Sequence, residues 1–183
     1  MANRVNLGLI GFGNVGQGLA QILRESHDDY VRDLGLDLRI VAITDPIKGS
    51  AFDPEGLDPA ILLDRVGREG NLASLPEAKP GWDAFAMIFK SNADVIVEMS
   101  YTDLKTGQPA TDHIKAAFAM KKYAVTTNKG PVALFYSELQ ELARANEATF
   151  GVEGSVMSGT PSLILGREIL AAAHVRKVMG IFN

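Results

Sequence analysis

The sequence of 183 residues has no cysteine. That absence excludes disulfides, thiolate metal sites and cysteine nucleophiles from the chain by inventory alone. Long apolar runs are missing too, and no stretch approaches the ~20 residues of a membrane-crossing helix. The run from Val5 to Ile10 is too short for the apolar region and cleavage site of a secretory signal. A cytoplasmic protein is therefore expected. A formal net charge of -4 gives no global attraction to nucleic acid or to an anionic membrane surface, so neither is expected as a partner. Low-complexity tracts and repeats of solenoid period are also lacking, which argues against an array or a disordered scaffold.

What the chain does have is 46% hydrophobic residues, enough to build the core of one domain and part of another. Val5 to Ile10 reads as a buried parallel strand. From Asn14, the apolar residues Val15, Leu19, Ile22 and Leu23 recur at helical spacing, and the helix extends to about Leu34 with Gly35 as its stop. Leu38 to Thr44 is a second strand. Pro46 to Gly81 is an excursion rich in Gly, Pro and acidic residues, holding one short helix that starts at Asp58-Pro59. Helices are then predicted over Trp82 to Lys90, Pro109 to Lys121 and Val132 to Asn146. They alternate with strands over Asp94 to Glu98, Tyr123 to Thr126 and Ala148 to Val152. This alternation implies an α/β fold, a doubly wound parallel sheet of Rossmann type with helices on both faces. The pattern changes after Gly159-Thr160-Pro161, to a helix over Ser162 to Ala173 and a strand over Val175 to Phe182. The boundaries read as a dinucleotide-binding domain over residues 1–152 and the beginning of a second, α+β domain over 153–183.

Gly11-Phe12-Gly13-Asn14-Val15-Gly16 fits G-x-G-x-x-G between the first strand and the first helix. In this context Gly11 permits the tight turn, Gly13 lets the backbone approach a pyrophosphate, and Gly16 lets helix and strand pack closely. Asp45 ends the second strand, where a carboxylate accepts hydrogen bonds from ribose hydroxyls and favours NAD over NADP. It lies farther along than the usual ~20 residues, a consequence of the long first helix. Lys48, just beyond it, is a cation able to neutralise a 2'-phosphate, so NADP stays open, with NAD slightly favoured. Ser100, past the third strand, and Asn128 and Lys129, past the fourth, lie at the carboxyl edge where such sheets bind ligands. Lys129 is the candidate catalytic group, because a lysine there can hydrogen-bond a carbonyl oxygen or share a proton with an alkoxide. A cation at a helix start opposes the helix dipole, which argues against a purely structural role. Glu153, in a loop of small residues, reads from spacing alone as part of a domain crossing. His27, His113 and His174 lack zinc-site pairing and are expected to be structural or exposed.

Taken together, Gly11 to Gly18, Thr127-Asn128-Lys129-Gly130-Pro131 and Glu153 to Pro161 resemble homoserine dehydrogenase across nearly the whole chain. Thr106-Gly107-Gln108-Pro109 is similar to the family's Thr-Gly-x-Pro segment. The resemblance implies interconversion of L-aspartate 4-semialdehyde and L-homoserine with NAD(P)H, in threonine and methionine biosynthesis. By the same resemblance Lys129 is the active-site lysine. Glu153 aligns, with the main-chain carbonyls of Val156, Ser158 and Thr160, with a monovalent-cation site that implies Na+. The second domain would serve substrate binding and dimerisation, and a homodimer is implied for the full-length enzyme. Gly180-Ile181-Phe182-Asn183 resembles the opening of a segment beyond which the family's remaining catalytic residues lie, so little or no turnover is expected of this chain alone. The acylating semialdehyde enzymes need a cysteine and are excluded. The reading from another class is a non-catalytic NAD(P)-binding or regulatory module.

Overall fold

A computed structural model describes residues 2–180. The chain begins with strand β1 (Asn3–Ile10), whose Leu7 and Leu9 point to one face of the sheet and Ile10 to the other. Helix α1 (Asn14–Asp29) follows at once and is prolonged by a π turn over Tyr30–Leu34. Gly35 ends it in the left-handed conformation at φ 64°, as the sequence predicts. Strand β2 (Leu36–Asp45) pairs in parallel with β1, and the register slips where Gly8 faces Ala42 instead of Val41. The bulge is visible in the packing. Val41 and Ala42 both join the core on one face, while Ile40 and Ile43 join the core on the other.

The region after Asp45 departs from the expected excursion, because it contains a strand, β3 (Gly49–Phe52), that runs antiparallel to β2. The turn between them is built by Asp45, whose Oδ1 accepts the N–H groups of Ile47 and Lys48 at 2.9 Å each. An aspartate that folds its own backbone back in this way makes a hairpin without needing Asn-Gly. Helix α2 (Pro59–Glu69) has the predicted start, with Asp58 accepting from Ala60 N at 2.8 Å. Helix α3 (Ala84–Lys90) starts two residues later than predicted. Asp83 caps it by accepting from Ala86 N at 2.7 Å, and Trp82 instead stacks on Phe52 at 5.2 Å between ring centroids.

Strand β4 (Val95–Glu98), helix α4 (Ala110–Ala119), strand β5 (Tyr123–Thr126), helix α5 (Lys129–Ala145) and the short strand β6 (Phe150–Gly151) complete the alternation. Helix α5 begins three residues before the predicted start, because Pro131 is tolerated in a first turn that needs no internal N–H bond. The sheet order is β3-β2-β1-β4-β5-β6, parallel throughout except at the β3 edge. Helices α1 and α2 supply Ala20, Leu23, Leu62 and Val66 to the core on one face. Met87, Ile114, Phe118 and Leu139 of α3, α4 and α5 fill the other. Each of the larger of these side chains contributes up to about 1.5–3 kcal/mol on burial, so the two cores hold the strand ends, and the loops on them, in place.

Beyond β6 the order is looser. The predicted helix over 162–173 is a series of short, mostly exposed turns: α-helical at Ser162–Ile164, π at Leu165–Ile169 and 3-10 at Ala171–Ala173. The strand expected over Val175 to Phe182 is not formed over Val175 to Gly180, where Val178 and Met179 are 72% and 77% exposed. No neighbouring strand among the described residues pairs with it, and an unpaired apolar segment has no ladder to stabilise it. Ile181 and Phe182 lie outside the described residues.

Candidate functional site

The strand order reverses between β1 and β4, and both strands deliver their carboxyl ends to the same edge. Met99 N donates to Ile10 O and Gly11 N to Thr44 O, each at 2.8 Å, so the ends of three strands are tied where the glycine loop begins. The three glycines do three different jobs. Gly11 sits at φ 94°, and a side chain there would come within 2.8 Å of the Met99 main chain. At Gly16 a Cβ would lie 2.6 Å from the Gly11 carbonyl oxygen, so its absence lets α1 seat against the loop. Nothing lies within 4 Å of a Cβ placed on Gly13, the N-cap of α1.

That open space fits the pyrophosphate of a dinucleotide. No side chain caps α1 and no acidic residue stands in its first turn, so Asn14, Val15 and Gly16 begin a helix whose N–H groups and dipole are available to an anion. Phe12, grouped with this loop from its sequence, contributes differently: its ring is fully buried in the core and only its backbone belongs to the site.

The half-buried Asp45 ties the loop to β2, its Oδ2 accepting Phe12 N at 2.8 Å. Burial pushes the Asp45 carboxyl pKa up, but three N–H donors, from Phe12, Lys48 and Ile47, and the Lys48 charge outweigh it and hold the group below its ordinary range. Asp45 thus presents a fixed negative charge at the carboxyl end of β2, beside the glycine loop. Lys48 lies in the hairpin turn beside it. Asp45 and Ser100 both line a cleft of about 560 Å³ whose walls also include Ile10, Trp82, Tyr101 and His113. Lys48, Asn128 and Lys129 are outside its walls.

At the end of β4 the structure reveals a group that sequence reasoning missed. Glu98 is 0% exposed, and its Oε1 accepts Ser100 N at 2.7 Å, Ser100 Oγ at 2.6 Å and Asn128 Nδ2 at 3.1 Å. Its Oε2 shares a hydrogen bond with Nδ1 of the buried His113 at 2.6 Å. Two of the predicted residues, Ser100 and Asn128, are thereby brought together on one carboxylate. A charge this deep is tolerated only when its lone pairs are satisfied, as they are here. His113, expected to be structural or exposed, is buried, bonds Glu98 and also lines the cleft. The one available signal was Glu98 itself, an acidic residue ending an apolar strand.

Asn128 is the N-cap of α5, yet its side chain makes no capping bond. Lys129 is the first residue of that helix and is exposed. Glu153 opens a 3-10 turn over Glu153–Ser155, and its two oxygens accept Leu163 N and Ile164 N at 2.9 and 3.0 Å. Met157 and Ser158 are left-handed at φ 56° and 51°, and Thr160 O accepts Ser162 N at 2.7 Å. Among the described residues no group of three or more His, Asp or Glu side chains is placed to hold a metal, so any cation here would depend on main-chain carbonyls. No helix among them is long and apolar enough to cross a membrane.

Comparison with known proteins places these features. A family model described as the homoserine dehydrogenase NAD-binding domain matches residues 11–153. An NAD(+)-dependent homoserine dehydrogenase of Pseudomonas canavaninivorans is 41% identical over 177 residues, which is 97% of this chain and 50% of that protein. A homoserine dehydrogenase of Methanocaldococcus jannaschii is 37% identical over 175 residues, 96% of this chain and 52% of that protein. Among solved structures, a hyperthermophilic archaeal homoserine dehydrogenase mutant in complex with NADPH superposes with a TM-score of 0.80 at 28% identity, covering 93% of this chain and 50% of that one. The chain spans about half the length of the curated relatives it matches.

Proposed function

This chain belongs to the homoserine dehydrogenase family through its NAD-binding domain, and from that premise we propose that it binds NAD(P) for the interconversion of L-aspartate 4-semialdehyde and L-homoserine. The observation that carries the reading is the open space above Gly13, at the uncapped start of α1 and at the strand-order reversal. Residues 153–183 are read as the beginning of the substrate and dimerisation domain, the small-molecule substrate sits at the crevice, and a cytoplasmic homodimer is the working assembly.

A bound nicotinamide supplies or accepts the hydride in this chemistry. The chain's own residues do the rest. The α1 N-terminus holds the pyrophosphate, and Asp45 accepts from the adenosine ribose. Lys129, at the exposed start of α5, hydrogen-bonds the carbonyl oxygen of the semialdehyde and stabilises the negative charge that develops there. Glu153 with the carbonyls of Val156, Ser158 and Thr160 offers hard oxygen donors suited to Na+, although the Glu153 carboxylate also caps the turn at Leu163 and Ile164.

Asp45 supports a preference for NAD, since a fixed carboxylate repels a 2'-phosphate, and the Pseudomonas relative is named as NAD(+)-dependent. Lys48 is the counterweight. Calorimetric titration of the chain with NAD and with NADP, alongside Lys48→Ala and Gly13→Val, tests the whole reading. We expect saturable binding, tighter for NAD, unaffected in preference by Lys48→Ala and abolished by Gly13→Val. Binding of neither nucleotide by the unmodified chain would overturn it.

A further inference from the structure

Three segments, two of them lining the cleft, are held by one buried carboxylate. Glu98 fixes Ser100 in the turn after β4 through two hydrogen bonds, and Asn128 at the start of α5 through a third. The remaining oxygen is held by His113 of α4, whose ring packs edge-on against Phe85 at 5.2 Å between centroids. Ser100 also abuts the glycine loop, since a Cβ on Gly11 would come within 2.9 Å of Ser100 N. The Glu98 cluster therefore sits across the strand-order reversal from Asp45, on the side of the loop away from the adenosine ribose.

Two features set this cluster apart from ordinary packing. An asparagine at an N-cap normally accepts from the second or third N–H of its helix. Asn128 forgoes that bond and donates its amide to Glu98. A fully buried carboxylate also carries a desolvation cost that an apolar group of the same volume avoids, so stability alone does not call for it. What it does provide is a rigid spacing between Ser100, Asn128 and the adjoining Lys129.

We propose that Glu98 and His113 are positioning residues for the nicotinamide half of the dinucleotide, acting by holding Ser100 on the wall of the cleft and Asn128 beside it at the start of α5. The proposal rests on the dinucleotide reading above and adds to it a division of labour. Asp45 and the glycine loop hold the adenosine diphosphate half, and the Glu98 cluster orders the other. His113 keeps the carboxylate from rotating toward the cleft that both line or adjoin.

The division gives a test that separates positioning from a general structural role. NADH carries both halves of the ligand, whereas ADP-ribose lacks the nicotinamide, so the two are titrated into the unmodified chain and into Glu98→Gln and Asn128→Ala. Loss of bonds to a charged acceptor predicts that Glu98→Gln weakens NADH about tenfold while ADP-ribose stays within about twofold. Asn128→Ala should weaken NADH about threefold, again with ADP-ribose unchanged. If Glu98→Gln does not fold, the double variant Ser100→Ala, Asn128→Ala removes the two side-chain bonds from Ser100 and Asn128 at partly exposed positions, and the same two ratios decide. Equal weakening of both ligands, or of neither, overturns the proposal. If the unmodified chain binds neither ligand, the dinucleotide reading fails first and takes the proposal with it.

Discussion

Asp45 Oδ2 accepts the backbone N–H of Phe12 at 2.8 Å, so the last residue of β2 holds the glycine loop that follows β1. The same carboxylate closes the β2-β3 hairpin through Ile47 and Lys48. One side chain thus couples the sheet edge to the candidate pyrophosphate site. Because the folded-state pKa of Asp45 lies below its unfolded value, its contribution to stability is complete above about pH 4 and is lost as pH falls through the folded value. Asp45→Asn should lower the urea midpoint at pH 7 by an amount equivalent to about 1 kcal/mol, a figure kept small because the group is partly solvated. The gap between variant and parent should narrow as pH falls below the ordinary aspartate value of about 4. An unchanged gap across that range would show that the charge does not matter to the loop.

The glycines of the loop should separate by assay. Gly13→Val has free space in this structure and should cost about 1 kcal/mol or less in thermal unfolding, while removing dinucleotide binding. Gly16→Ala places a methyl group 2.6 Å from the Gly11 carbonyl oxygen, a main-chain atom that cannot swing aside. It should cost about 1–3 kcal/mol. Thermal melts with parallel calorimetric titration check both, and a destabilised Gly13→Val would contradict the assignment of that space to a ligand.

Phe12 lies inside the loop motif, but its ring belongs to the α1–α2 face of the core. Phe12→Ala should cost about 3–5 kcal/mol, whereas Phe12→Leu should cost less than that and still bind nucleotide, because only the main chain reaches the site. Denaturant unfolding and titration of the two variants measure this. Loss of affinity in a stably folded Phe12→Leu would mean the ring touches the ligand.

The alternation of strands and helices was legible because each buried strand is a short apolar run and each helix has an apolar stripe, and these signals are local. The β3 strand was hidden for the opposite reason. Gly49 to Phe52 has only four residues, sits among Gly, Pro and acidic residues, and is defined by its pairing with β2. Glycine-loop chemistry was readable from spacing, since the residues are contiguous. The partnership of Glu98 with His113 and Asn128 was not, because it joins β4, α4 and the cap of α5, and no periodicity records contacts between separate elements. The final strand is not formed over Val175 to Gly180 because a strand needs a neighbour, which its own sequence does not specify.

Lys129 offers the sharpest division between stability and chemistry. It is exposed and is the first residue of α5, where a positive charge opposes the helix dipole. Removing that charge in Lys129→Ala should leave the fold as stable as before or raise its stability by about 0.3–1 kcal/mol. The dinucleotide should still bind, since the glycine loop and Asp45 are untouched. In a protein of the family's full length, the same substitution should reduce semialdehyde turnover by about 10²–10⁴-fold, the range for loss of a positioned proton-sharing group, with little change in nucleotide affinity. Thermal melts, NADH titration and steady-state kinetics on the one variant provide all three readings. If stability fell while turnover held, Lys129 would be a structural residue of the helix start and the reacting carbonyl would have to be polarised by another group.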